Sequence, residues 1–264
     1  MNMFLHELKA YRKSIIIWAC SITALAAMYM LIYKGLGNDL EEFKVFMNNL
    51  PDVMKKAFNI YIGSVTTLVG FYSFVFSFVV LCGAIQAMNI GTSIVSKEVR
   101  DKTADFLMTK PVSRAGILSS KILAAFSCLV FTNIIYLGLT IPVGAAISSD
   151  FDIKLYLILS ATLFFVQLMF MALGIIASAI AGKIQSVISI TLSTVFGFYI
   201  IGTLGSIVGE ANVRYVSPFR YFDTAYIIQN AAYEASFVIV GTIFVIAAIA
   251  ASFAVYLKKD VHSV

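Results

Sequence analysis

Six stretches of this chain run without a charged residue: Ser14 to Tyr33, Ala57 to Ser96, Ile122 to Ser149, Leu155 to Gly182, Ile184 to Gly209 and Ala235 to Leu257. Each reaches or exceeds the roughly 20 residues that a helix rising about 1.5 Å per residue needs to cross about 30 Å of hydrocarbon. A closed barrel would instead alternate apolar and polar positions in segments of about ten, and no such alternation is visible. Backbone groups in lipid must be satisfied within their own segment, so solid apolar runs of this length predict helices. The expected fold class is all-α: a polytopic membrane protein forming one transmembrane domain over residues 1–264, with spans at about 14–33, 71–95, 122–147, 155–181, 184–208 and 235–257. The second run, at 40 residues, is too long for one untilted span and barely long enough for two. Gly63, Ser64, Thr66, Thr67 and Gly70 suit an irregular lead-in, so Phe71 to Val95 is read as a single span.

Between the spans the pattern turns amphipathic. Residues 1–13 place Phe4, Leu8 and Tyr11 at helical spacing with Lys9, Arg12 and Lys13 on the other faces, which predicts an interfacial helix on the membrane surface. Leu40, Phe43, Met47, Leu50 and Met54 recur at steps of three and four, predicting a second surface helix that Pro51 should break or bend. The links between spans three and four and between four and five are short, so those neighbours form antiparallel hairpins. The longer loop from Glu210 to Glu234 holds VSPFRYFD (Val216 to Asp223), whose Phe219, Tyr221 and Phe222 are expected to anchor at headgroup depth. Gly205 and Gly209 form a GxxxG pair, read as packing within the chain rather than as a subunit seam.

Composition agrees with this pattern and adds an orientation. The chain is 60% hydrophobic and 12% charged, about half the charged fraction of a soluble domain. With six spans, both termini share a side; that side carries twelve Lys and Arg, against seven on the other. Cytoplasmic segments carry the basic excess, so both termini are expected in the cytoplasm, and the net charge of +5 reflects topology rather than nucleic acid binding. Cys20, Cys82 and Cys128 fall inside spans at no metal-ligand spacing, which excludes disulfide and zinc frameworks. The first apolar run is longer than a signal-peptide core and lacks a small-residue cleavage site, so no cleaved leader is expected.

The candidate chemistry is defined largely by what is missing. No Asp, Glu, Lys or Arg sits deep in a span, although such residues usually carry proton relays and ion coupling. There is no GxxxxGK[ST] phosphate loop, no nucleophile–base pair and no cluster of metal-binding carboxylates. Neutral polarity remains: Gln86 and Asn89 in span two, Asn133 in span three and Gln167 in span four. These groups either line a translocation passage or hydrogen-bond across helices.

One segment departs from all of this. SKEVRDKTADFLMTKPVSR, Ser96 to Arg114, is a charge-dense island between two charge-free runs, far richer than a turn requires. Glu98 and Arg100 continue span two; Thr103 to Lys110 can then form a short helix with an apolar side of Ala104, Phe106, Leu107 and Met108, ended by Pro111. Ser113 can cap the next helix, which carries Arg114 and Lys121. A short helix framed in this way suits a groove on a cytoplasmic partner.

At this point the sequence resembles the membrane subunit of a type 2 ATP-binding-cassette (ABC) exporter. ELKAYRKSIIIW (Glu7 to Trp18) is similar to that family's leading helix, and FMNNLPDVMKKAFN (Phe46 to Asn59) to its outer segment with a central Leu-Pro. The island matches best, with Glu98, Lys102 and Thr103, Leu107, Pro111, Ser113, Arg114 and Lys121 in the family's order; Lys102 stands where many members have glycine. VSPFRYFD resembles the Ser-Pro-Phe segment before the last span. The resemblance implies a permease subunit in a bacterial plasma membrane, paired with a second permease, identical or different, and with two cytoplasmic ABC ATPase subunits. It also implies that Thr103 to Lys110 is a coupling helix seated in each ATPase. Phe106 and Leu107 would supply buried contact, and Arg114 and Lys121 charge pairing at the rim. ATP and Mg would bind the ATPase, with no cofactor on this chain. Two rival readings are a membrane-embedded enzyme acting on lipid or isoprenoid phosphates, with Asp101 and Asp105 as metal ligands, and an ATP-independent channel or secondary carrier.

Overall fold

The computed structural model describes residues 3–57, 61–100, 113–181, 184–209 and 211–258, and among them there are helices and turns but no strand. Six helices are long and apolar enough to cross a membrane: α1 (Met3–Leu36), α4 (Leu68–Arg100), α5 (Arg114–Ile147), α6 (Ile153–Ile180), α7 (Val187–Val208) and α9 (Ala235–Lys258). Among the described residues, three short helices lie between them: α2 (Leu40–Asn48), α3 (Asp52–Ala57) and α8 (Thr224–Asn230). The chain is therefore a six-span, all-α membrane protein. The 40-residue run holds one span, because the chain passes through a 3₁₀ turn at Ile62–Ser64 before α4 begins, and Thr67 then caps α4 by accepting the Gly70 amide at 3.1 Å. Residues 3–13 are the opening turns of the same uninterrupted helix as the first span.

The bundle is organised around α4 and α6. About two-thirds of the most apolar stretch of each is buried (67% and 61%), against 22% in α7 and 17% in α9. Two glycines make the central crossing possible. A Cβ on Gly91 would lie 2.4 Å from the Met171 carbonyl oxygen, and one on Gly174 would lie 2.7 Å from both the Met88 carbonyl and the Thr92 amide. The backbones of α4 and α6 thus touch where each lacks a side chain, the close approach that small residues allow between membrane helices. α1 packs along α5, both lean on α4, and α9 packs on the outer side of α6.

Two ends follow from the up-and-down path. The near end holds the start of α1, the end of α4 and the start of α5; the far end holds α2, α3 and the loop between α7 and α9. Proline breaks the far-end surface segment as expected, with Pro51 between α2 and α3. Phe43 and Tyr33 both pack on Phe71, at 5.4 and 5.6 Å between ring centres.

The far-end loop differs from expectation in where its aromatics go. Tyr221 and Phe222 are buried within the chain rather than turned outward as free anchors. Phe222 stacks on Phe165 at 5.4 Å, Phe219 packs on Phe170 at 5.0 Å, and Tyr221 leans on Phe237 at 5.8 Å. The cause is local: Ser217 donates to the Phe198 carbonyl at 2.8 Å, Pro218 opens a 3₁₀ turn, and Asp223 caps α8 through the Ala225 amide at 2.9 Å. These bonds fold the segment back onto α6, α7 and α9. Gly209 ends α7 in the left-handed region at φ 79°, while Gly205 makes room for Val213 of the returning loop. The GxxxG pair is thus used within the chain.

Candidate functional site

Two candidate regions lie along α4. At the near end, the island's central residues, including Thr103, Phe106, Leu107 and Pro111, fall outside the described residues, as does the side chain of Glu98. What the structure describes is the frame around them. Ser113 accepts the Gly116 amide at 3.1 Å and so starts α5, as its position after Pro111 predicts. Arg114 follows, half-buried in the first turn.

Three contacts tie this end together. Glu7 of α1, only 2% exposed, faces Lys97 of α4 at 3.7 Å. Tyr11 and Ser93 share a hydrogen bond of 2.6 Å between hydroxyls. Lys121 of α5 is wholly buried and donates its ammonium to the Ile94 carbonyl. This places Lys121 inside the helix junction rather than at an exposed rim, where its charge meets carbonyl oxygens near the C-terminal, negative end of α4. A fourth bond, from Ser178 to the Thr92 carbonyl at 3.0 Å, joins the end of α6 to the same place.

In mid-bundle, three of the four neutral polar residues meet. Asn133 donates to the Gln167 side-chain oxygen at 2.6 Å, Gln167 donates to Gln86 at 3.1 Å, and Gln86 donates to the Thr132 hydroxyl at 2.7 Å. Thr132 in turn donates to the Cys128 carbonyl at 3.1 Å, so every bond in the chain points the same way and links α4, α5 and α6. Each amide here uses both its carbonyl and its NH₂, or is closed by a helix carbonyl, as with Asn133 and Leu129 at 2.8 Å. Asn89 is half-buried and stands outside the chain.

The sequence reading missed a second cluster one step toward the far end. The hydroxyls of Tyr72 and Tyr136 bond to each other, Tyr156 donates to Tyr136 at 3.3 Å, and Ser160 lies 3.3 Å from Tyr136. Its only sequence signal is three tyrosines inside apolar runs, where a phenol needs a partner. Among the described residues, no group of three His, Cys, Asp or Glu side chains could hold a metal ion.

The near-end contacts and the mid-bundle polar chain both join helices that are far apart in the sequence. The sequence profile of the family described as ABC-2 family transporter protein matches residues 1–261. The chain belongs to this family. The match takes in all six spans, the island and both surface segments, so the ABC-2 assignment rests on the whole domain rather than on one motif. No match was found among curated proteins. As an ABC-2 family member the chain is a permease component of an ABC transporter and a multi-pass membrane protein. The family points to a transport subunit.

Proposed function

We propose that this ABC-2 permease is half of an exporter, pairing with a second permease subunit in a bacterial plasma membrane and driven by two separate cytoplasmic ATPases that grip residues 98–121. The observation that carries this reading is the near-end frame. A displacement of the island can bias the packing of the bundle only if the helices on either side of it are held firmly enough to move with it. Lys121 to Ile94, Glu7 to Lys97 and Tyr11 to Ser93 give α5, α4 and α1 that coherence at the point where the island leaves them.

In this reading Phe106 and Leu107 are the buried anchors in the ATPase groove, Arg114 is a rim charge, and Lys121 belongs to the frame. ATP and Mg bind on the ATPases, where hydrolysis occurs. Gln86, Asn133 and Gln167 hold α4, α5 and α6 together; of the four neutral polar residues, Asn89 is the one left to line a passage.

The test is to purify the permease with its ATPase and compare the double variant Phe106→Asp, Leu107→Asp. Loss of two apolar anchors should cut ATPase copurification by about tenfold or more, while the variant keeps the wild-type size-exclusion profile. Undiminished copurification would contradict the reading. The enzyme alternative makes the opposite demand on Asp101 and Asp105: changing both to Asn should leave ATP-dependent transport intact here, but would abolish a metal-dependent turnover.

A further inference from the structure

The far-end loop closes over a pocket of about 70 Å³ between α4, α6 and α7, and the transport reading makes no use of its chemistry. Phe76, Val80 and Val166 form apolar walls, while Ser77, Thr162 and Arg220 face into it from three different elements. A second hollow of about 150 Å³ shares Gly202, Ser206 and Arg220 and continues toward Arg214. No carboxylate lines either space among the described residues.

Polar groups are left over in this pocket. Thr162 is 3% exposed, and its hydroxyl lies by that of Tyr233 without a hydrogen bond of good geometry. A helical threonine ordinarily donates to the carbonyl four residues earlier, here Ile158. Tyr233 reaches in from the loop and donates to that oxygen instead. The Ser77 hydroxyl is also buried, with the Tyr199 hydroxyl as a neighbour but no hydrogen bond of good geometry to it. Ser77 and Thr162 occupy the third turns of α4 and α6, at matching depth below the loop.

The two arginines of the loop have opposite surroundings. Arg214 pairs with Glu234 at 2.7 Å, donates to the Arg220 carbonyl at 2.9 Å and lies 3.9 Å above the centre of the Phe237 ring. The Arg220 guanidinium has no hydrogen bond or ion pair among the described residues. It feels the charge of Asp223, but the carboxylate oxygen Oδ1 of Asp223 is already accepting the Ala225 and Tyr226 amides. Burial lowers the pKa of the Arg220 guanidinium, and the like charge of Arg214 adds to that. Arg220 is half-buried; withdrawing a cation from water without a bonded partner is costly, and a guanidinium's planar fork of donors matches an oxyanion.

We propose that this pocket binds an oxyanion, the phosphate or carboxylate group of a lipid headgroup or of a small solute, with Arg220 supplying the charge and Ser77 and Thr162 the hydroxyl hydrogen bonds. A cation is disfavoured by Arg220 itself, and a purely apolar ligand would leave all three groups unanswered. The inference concerns binding to this one chain and stands whether or not the export reading does.

The test uses the purified full chain in phosphatidylcholine nanodiscs, with thermal unfolding and native mass spectrometry as readouts. Two probes separate the sources: phosphatidylglycerol added to the discs, and inorganic phosphate added to the buffer. A lipid site raises the unfolding midpoint and retains adducts with phosphatidylglycerol only; a solute site responds to inorganic phosphate in pure phosphatidylcholine. In either case Arg220→Gln should weaken the response at least tenfold, while Lys154→Gln, a far-end cation outside the pocket, leaves it unchanged.

A second variant keeps the question open should Arg220→Gln fail to fold. Ser77→Ala with Thr162→Val removes two unsatisfied buried hydroxyls, so the empty protein should be as stable as wild type or more so, yet bind the active probe severalfold more weakly. Absence of any response to both anions, or a response that neither variant changes, would overturn the proposal.

Discussion

The two ends of this bundle treat charge drawn in from solvent in opposite ways. At the near end, Glu7 is answered by Lys97 and Lys121 by the Ile94 carbonyl, and both contacts bridge different helices. At the far end, Arg214 is answered by Glu234 and the ring of Phe237, but Arg220 sits in a pocket wall without a bonded partner. A charge that is closed by its own chain acts as a structural tie; one left open is a capacity to bind. The near end accordingly reads as a frame and the far end as a receptacle. A single helix, α4, runs between them, with the closed polar chain of Gln86, Gln167 and Asn133 at its middle.

The largest effect expected from breaking this contrast is at Lys121. Lys121→Glu puts a carboxylate against the Ile94 carbonyl in a site with no exposure, and should cost about 3–5 kcal/mol, the scale on which a buried charge left uncompensated destabilises. Lys121→Met keeps the length but removes the donor to the Ile94 carbonyl, and should cost less, about 1–3 kcal/mol, the scale of a buried polar group left unsatisfied. Thermal unfolding of the two variants in the same detergent checks both. A tolerated Lys121→Glu would mean that the near end is not the closed frame described here.

A smaller effect is expected in mid-bundle. Gln86→Leu and Gln167→Leu should each cost about 1 kcal/mol, typical of a hydrogen bond between membrane helices. Because each leaves its former partner unsatisfied, the double variant should fall short of the summed cost by at least about 0.5 kcal/mol. Strict additivity in that cycle would show that the two amides act separately.

How much of this could be read from the chain depends on how local the cause is. The six spans, the break at Pro51 and the cap at Ser113 are set by residues within a few positions of the feature, and all were legible. The polar chain was legible as a set of candidates but not as a chain. Which faces of α4 and α6 meet is set at the Gly91–Gly174 crossing, and a pair of glycines 83 residues apart carries no local signal. Asn89 resembles Gln86 in every local respect and yet falls outside the network, because helix rotation separates them.

Lys121 illustrates the same limit with the opposite sign. The family resemblance implies a rim charge at Lys121, and only the packing of α5 on α4 turns the side chain inward. At the far end, VSPFRYFD was read for its aromatics as membrane anchors. The bonds of Ser217 and Asp223 that fold the segment inward bury those rings and leave Arg220 over the pocket.

The central claim is that the near end, with the charged island, faces the cytoplasm, where an ATPase can reach it. Accessibility of a cysteine placed in the island tests this most directly, in a background where Cys20, Cys82 and Cys128 are replaced. The account predicts that Thr109→Cys resists a membrane-impermeant thiol reagent in intact cells and reacts once the cells are permeabilised, while Asn48→Cys, in α2 at the far end, reacts in intact cells. Ready labelling of Thr109→Cys in intact cells, with Asn48→Cys protected, would contradict it.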